Sequence, residues 1–441
     1  MIFVGAANGP GKADGGDTAS RVFAVAGSHS TARPRLWQGD GVVLAQAQGV
    51  AACDDRRERL PATYAGGRSV LAFDGRIDNR DDLIAALGVG AGGGLSDSGL
   101  VMAALERWGE EACARLIGDF AFAAWDRNRR CLFLACDAVG GRTIYHHTTP
   151  HGIVFATTVH AVQALLDQPR EVDLRSVAHL LLNRHIPSEA TMYHGTGRLP
   201  AAGWLAWTAD GVRKGRYWRP DWGRRLRFRS DDAYVDAARD LLDRVVAANL
   251  RAAGPVVCHL SGGLDSPAVA STAARLRAPA ALHTVTVVPD PDAPLPPPRD
   301  RLIYDEWPLA QAVAARHPNM IAHRTPAGGL TADEIDPRRL FWAFGLPLRN
   351  LANFGCFAPS QRKARDLGAR VVLTGLSGNM TLGWQGHAVL ADLAVSGNLS
   401  ELLRQAARTW RSGESVSRRL RRELAAPLLP PDVQRAIQRL R

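Results

Sequence analysis

The stretch Pro255 to Ala270, PVVCHLSGGLDSPAVA, constrains the fold more than any other part of the chain. Val256–Leu260 reads as a buried apolar strand, and the loop Ser261-Gly262-Gly263-Leu264-Asp265-Ser266 leads straight into a helix. Ser266 is expected to cap that helix, with Pro267 at its first position. Phosphate oxygens are held where backbone N–H groups converge with a helix amino end, and glycines let the backbone come close enough. A Walker loop is excluded, because it needs a lysine before the hydroxyl residue and none is near. A carboxylate stands in the loop instead. Asp265 would repel phosphates unless a cation lay between them, so it is expected to hold Mg2+ bound to a triphosphate.

The surroundings fit a nucleotide fold. DDAYVDAARDLLDRVVAANL is an amphipathic helix, and apolar strands at Val256–Leu260, Ala281–Val288 and Ala369–Thr374 alternate with helical stretches. That order predicts an α/β doubly wound parallel sheet over residues 231–441, with ligands at the carboxyl edge of its strands. Residues 1–166 read differently, as an α+β layer fold. RSVLAFDGRIDNRDDLIAAL gives a strand, a turn at Asp74-Gly75 and a helix; the next helix is capped by Ser96 or Asp97. Two strands joined at Asp126 to Arg130 and the strand HGIVFATT follow. Residues 167–230, with Pro187, Pro200, Pro220 and a hairpin turned at Asp210-Gly211, read as a connecting segment. The run Gly88 to Gly94 follows a helix rather than a strand, which makes it a surface loop.

Composition excludes several classes. No apolar run approaches the roughly eighteen residues needed to cross a bilayer, and the start lacks a basic leader, so a soluble cytoplasmic protein is expected. Six scattered cysteines without a C-x-x-C pair argue against a disulfide framework or a zinc site. The net charge of +11 is carried by arginine, with lysine only at Lys12, Lys214 and Lys363. Its clusters, Arg219 to Arg229 and Arg418 to Arg441, lack the aromatic interleaving of a single-strand groove and read as solvated faces, not a nucleic-acid site. His146-His147 lacks a third ligand nearby, His259 reads as a packing residue, and no G-x-S-x-G elbow is present.

LSGGLDS resembles the pyrophosphate loop of the ATP-pyrophosphatase group, and residues 60–385 are similar to the asparagine synthetase superfamily. FDGRIDNRDDL resembles that family's N-G-E-I-Y-N segment, and TMYHGTGRLPAAGWLAW resembles the stretch joining its two domains. The resemblance implies an Ntn-hydrolase-like sandwich followed by an ATP- and Mg2+-dependent synthetase domain. It implies that Leu260 and Val287 touch the adenosine, that Ser261, Gly262, Gly263 and Ser266 touch the phosphates, and that Asp265 holds the metal. Thr374 and Gly375 in VVLTGLSGN match a second nucleotide-contacting turn. No catalytic side chain is assigned.

Departures from the family pattern direct the functional expectation. Glutamine-using members expose a cysteine once the initiator methionine is removed; here Ile2 stands at that position, so the first domain is expected to be silent. An adenylation site without an ammonia source implies that the substrate carries its own amine. β-Lactam synthetases and lasso-peptide macrolactam synthetases work in this way. The long, proline-rich loop Val287 to Trp307 favours a peptide, and hence a lasso-peptide cyclase working with a leader-binding protein and a cysteine protease. A small-molecule amide or β-lactam synthetase and a non-catalytic nucleotide-binding protein are the alternatives. Asp305 and Glu306 open the next helix; they either face the site or, as acidic residues at a helix start usually do, complement its dipole. Asn379 stands where an acidic metal-binding residue is common, and no lysine follows Lys363.

Overall fold

The computed structural model describes residues 2–8, 15–28, 32–49, 58–89, 95–167, 170–292, 303–328, 336–348, 351–381, 383, 388–411 and 420–430. The chain forms two compact units, Met1–Gly262 with Val269–Thr374, and Gly263–Ala268 with Gly375–Arg441. Of the predicted features, Gly90 to Gly94, residues 293–302 of the proline-rich loop and most of the basic C-terminal run lie outside the described residues.

In the first unit the strands are β1 (Ile2–Asn8), β2 (Arg35–Gly39), β3 (Val42–Ala47), β4 (Ala62–Tyr64), β5 (Ser69–Ile77), β6 (Gly118–Asp126), β7 (Cys131–Cys136), β8 (Tyr145–Thr149), β9 (Gly152–Ala156), β10 (Thr196–Arg198), β11 (Gly203–Thr208) and β12 (Gly211–Arg216). They form two six-stranded sheets, ordered β10-β8-β9-β1-β3-β2 and β12-β11-β7-β6-β5-β4. Every pairing within them is antiparallel. The inward faces meet in an apolar layer that includes Phe3, Leu44, Val70, Ala72, Trp125 and Phe155, the alternation a half-buried strand requires. Buried Gln46 on β3 crosses between the sheets, its amide donating to the Phe73 carbonyl at 2.6 Å and accepting from the Phe73 N–H at 3.0 Å. Helices α1 (Gly15–Ser28), α2 (Arg80–Leu87), α3 (Asp97–Trp108), α4 (Val159–Leu165) and α5 (Leu174–Leu181) accompany the sheets. Ser96 caps α3 by accepting from Gly99 N–H, as the sequence indicates.

Two expectations differ from the observed course of the chain. Asp74-Gly75 is not a turn: β5 runs through it and pairs with β6 from Ser69↔Asp126 to Ile77↔Gly118. Gly75 is required there because a Cβ would overlap the Asp119 carbonyl and lie 2.6 Å from Phe120 Cα, so the glycine serves close strand approach. The segment expected as a connector supplies β10, β11 and β12, which complete one edge of each sheet.

The remaining part of this unit carries β13 (Val256–His259), β14 (Leu282–Val288), β15 (Met320–Pro326) and β16 (Val371–Leu373), ordered β15-β14-β13-β16 and parallel throughout. One face packs Cys258, Leu260 and Leu282 against Val246 of α6 (Asp231–Asn249), Ala270 and Ala274 of α7 (Asp265–Arg277), and Ala310 and Ala314 of α8 (Trp307–Ala314). The other packs Val257 and Val285 on Ala364; α9 (Pro337–Phe344) and α10 (Leu351–Asp366), which carries Ala364, lie between β15 and β16 in the chain. Burial on both faces explains why these strands read as continuous apolar runs. In the second unit lie α11 (Val389–Val395) and α12 (Leu399–Arg411).

A buried ion cluster ties α6 to the sandwich. The Asp97 carboxylate, 4% exposed, accepts from both terminal nitrogens of Arg251, at 2.9 and 2.6 Å, from the Ile77 N–H at 2.9 Å, and from Arg80. Arg251 also donates to the Ile77 carbonyl at 3.0 Å. A buried carboxylate answers two guanidiniums, so removing it breaks several charge-assisted hydrogen bonds at once. Asp97→Ala is expected to lower stability by about 3–5 kcal/mol in urea unfolding, against about 1 kcal/mol for an exposed pair such as Arg213–Glu110.

Candidate active site

Leu260 closes β13, 2% exposed, and its N–H donates to the Val285 carbonyl at 3.0 Å. Ser261 and Gly262 follow it, Val287 lies near the end of β14, and Thr374 follows β16. These residues of the first unit therefore stand at the carboxyl edge of the parallel sheet, where open α/β sheets bind ligands. Gly262 is held against α8, since a Cβ there would lie 2.7 Å from Leu309 Cδ1. Its N–H donates to the Glu306 carboxylate at 3.1 Å. Sequence reasoning assigned Glu306 to the helix dipole, but its side chain makes no cap on α8 and turns to the loop instead; Asp305 takes the helix end, accepting from Trp307 N–H at 2.9 Å. A carboxylate oxygen thus occupies an N–H that a phosphate oxygen would otherwise take.

The second unit holds Gly263, Asp265, Ser266 and Gly375. The helix begins at Asp265, so Ser266 and Pro267 fall in its first turn rather than at the cap and first position. Proline is still tolerated, because first-turn N–H groups have no intrahelical partner. Gly375 lies against this turn: a Cβ would come within 2.5 Å of Ser266 N and 2.7 Å of the Asp265 carbonyl carbon. At Gly378 a Cβ would overlap the Asp265 carboxyl group, and at Gly383 it would stand 2.5 Å from Asp265 Oδ1. Gly378 and Gly383 therefore bring bare backbone to the Asp265 carboxylate, and Gly375 to the main chain beside it, in a cradle that any side chain would fill. The signal for this was present in the spacing of Gly375, Gly378 and Gly383. Asn379 is exposed in the same turn.

The donor set suits Mg2+ rather than a metal caged wholly by protein. Among the described residues no cluster of three or more His, Cys, Asp or Glu side chains is found. Mg2+ characteristically takes one or two carboxylates and completes its shell with phosphate oxygens and water.

In the sandwich, thiol chemistry is suppressed. Burial pushes the Cys113 and Cys136 thiols up to about 12 and raises Cys131, and Cys258 on β13 is likewise raised to about 12. A thiolate is the nucleophile, so these residues are inert near neutral pH. Cys53 lies outside the described residues. Ile2 opens β1, 2% exposed, pairing with Ala47. His146 is buried and its pKa falls to about 4 through desolvation and Lys214, while His147 shares a 3.3 Å hydrogen bond with Thr196. His259 stacks on Phe357 at 6.2 Å, with its pKa lowered by burial.

Residues 17–218 match the glutamine amidotransferase domain family and residues 237–436 the asparagine synthase family. The class is therefore a two-domain protein with an Ntn-type amidotransferase sandwich followed by an asparagine synthase domain. The chain belongs to the asparagine synthetase superfamily. A Mycobacterium bovis protein named, provisionally, as a glutamine-hydrolysing asparagine synthetase is 32% identical over 222 residues, 48% of this chain and 34% of that protein. Asparagine synthetase (glutamine-hydrolysing) 3 of Bacillus subtilis is 28% identical over 52% of this chain and 38% of its own length. Carboxyethyl-arginine beta-lactam-synthase of Streptomyces clavuligerus is 30% identical over 280 residues, 63% of this chain and 50% of that enzyme. The matches thus span one third to one half of these relatives. The solved glutamine phosphoribosylpyrophosphate amidotransferase of B. subtilis superposes at a TM-score of 0.32 with 11% identity over 87% of each chain, too distant to carry an inference.

Gly378→Ala is expected to weaken Mg·ATP binding roughly tenfold or more in calorimetry, because the added methyl takes the space of the Asp265 carboxyl. Glu306→Ala should do the reverse, tightening it by up to roughly tenfold, because the incoming phosphate no longer has to displace a charge-assisted hydrogen bond. Iodoacetamide at pH 8 should leave Cys113, Cys136 and Cys258 unlabelled in the native protein by peptide mass mapping.

Proposed function

We propose that the chain is an ATP-dependent amide-forming ligase whose substrate brings both the carboxylate and the amine. Its substrate would be a ribosomally made precursor peptide, closed into a lasso-type macrolactam between an Asp or Glu side chain and the freed amino terminus. The observation that carries the ligase reading is the glycine cradle around Asp265, directly after β13 in an asparagine synthase domain. The corner is then of the ATP-pyrophosphatase type. Leu260 and Val287 are assigned to the adenosine, Ser261, Gly262, Gly263 and Ser266 to the phosphates, and Thr374 and Gly375 to the second turn.

In the first step a substrate carboxylate oxygen attacks the α-phosphorus of ATP, and pyrophosphate departs with the bond's electron pair. The amine nitrogen then attacks the acyl carbon; AMP leaves, the nitrogen loses a proton, and an amide remains. The loop Ser261 to Gly263 would receive the departing pyrophosphate once the Gly262 N–H exchanges its Glu306 carboxylate for a phosphate oxygen. Mg2+ bound at Asp265, with Asn379 as a neutral oxygen donor, supplies charge neutralisation for the triphosphate. The binding surface contributes chiefly by pre-folding the substrate so that amine and acyl carbon meet.

Raised thiol pKa values throughout the described sandwich support an amine carried by the substrate instead of one released from glutamine. The long proline-rich connection between β14 and α8 leaves the carboxyl edge of the sheet and favours a peptide over a small amino acid. A leader-peptide-binding protein and a cysteine protease would be the partners. The similarity to the S. clavuligerus β-lactam synthase favours a second reading, closure of a small amino-acid derivative.

Isotope exchange between pyrophosphate and ATP tests the proposal. Exchange that depends on a precursor peptide bearing Asp or Glu, and stops in Asp265→Ala, is the expected result. Exchange with small carboxylates alone supports the β-lactam reading, and absence of any exchange with either substrate class would refute a ligase.

A further inference from the structure

We propose that the open edge of the sandwich between β10 and β12 is a binding site for a small phosphate-bearing anion. A cavity of about 290 Å3 lies there, lined by Arg198 of β10, Lys214 and Arg216 of β12, Arg219, His146 of β8 and a single acid, Glu189. A neighbouring cavity of about 570 Å3 shares His146, Gly197 and Lys214 with it. Neither cavity includes any residue of the nucleotide corner.

Four cations converge on this space, and among the described residues none of them has a carboxylate within salt-bridge distance. Two are fixed by the same residue: Arg198 Nε donates to the Ser188 carbonyl at 2.6 Å and Arg216 Nη2 to the Ser188 hydroxyl at 3.4 Å. Holding two guanidiniums side by side costs Coulomb energy that a bound anion would recover. Guanidinium forks match phosphate oxygens in pairs, while Lys214, one of three lysines in a chain otherwise basic through arginine, adds a point charge. The fifth polar group is His146, 7% exposed, whose Nδ1 is buried without a hydrogen-bond partner. Its ring packs over Gly197, where a Cβ would stand 3.3 Å from Nε2, so the glycine makes room for it. The His146 ring lines both cavities, so an anion seated there changes its surroundings. Volume limits the occupant: a cavity near the lower end of the ligand range takes a mono- or diphosphate group, not a folded acidic segment.

The test is titration of the full-length protein with inorganic pyrophosphate in EDTA, followed by calorimetry and by the NMR signal of the His146 ring. One equivalent is expected to bind and to shift that signal. Lys214→Met and Arg216→Gln should each weaken binding tenfold or more without lowering the thermal midpoint, and exposed Arg219→Gln serves if either fails to fold. Gly378→Ala, in the nucleotide corner, should leave this binding unchanged. The proposal is overturned if no pyrophosphate binds, if the His146 signal stays still, or if Gly378→Ala abolishes binding while Lys214→Met retains it. Tetraglutamate moving the same signal at lower concentration than pyrophosphate would overturn the phosphate assignment.

Discussion

Backbone can close around a carboxylate only where no side chain stands between them. That constraint governs the stretch after β13. Gly375, Gly378 and Gly383 present bare main chain to Asp265 and Ser266, and Gly262 is pressed on Leu309 with its N–H already taken by Glu306. Each of these contacts leaves no room for a Cβ, so the loop's chemistry and its packing are one requirement. The parallel sheet serves the same end by delivering β13, β14 and β16 to one edge, where Leu260, Val287 and Thr374 emerge together.

The sandwich matches the glutamine amidotransferase family, and burial raises the thiols of its described cysteines. Cys113 and Cys136 lie in apolar surroundings that hold the proton on sulfur, and Ile2 of β1 is buried. Stability is served well by the same surroundings. Gln46 pins one sheet to the other through both hydrogen bonds of Phe73, and Asp97 compensates Arg80 and Arg251, binding the end of α6 to β5 and α3. The domain is therefore tied to the synthetase half by a buried charge cluster, independent of any reaction it once performed or now performs.

Much of this was legible from residue order. The strand–SGG–Asp–helix corner, the parallel strands, the β6–β7 and β11–β12 hairpins and the Ser96 cap all follow from local patterning, because period, turn chemistry and capping act over a few residues. Asp74-Gly75 misled because an Asp-Gly pair signals a turn locally, whereas this glycine answers to the Asp119 backbone some forty residues on. The short strand β10, and the pairing of the β11–β12 hairpin onto β7, were hidden for a similar reason: their partners β8 and β7 lie far back in the chain. Glu306 was assigned to its helix because sequence adjacency points there, while its bond to Gly262 spans a loop.

The sequence by itself determined that a glycine-rich loop carrying a carboxylate runs from Leu260 into a helix, and that no Walker lysine is present. These are properties of residue type and spacing, and they survive any rearrangement of distant parts. Only the tertiary structure decided which groups meet that corner, which thiols burial raises, and that four cations without a carboxylate partner among the described residues gather at the sandwich edge around His146. Burial and Coulomb interaction depend on distance through space, and a linear chain does not specify those distances until it has folded.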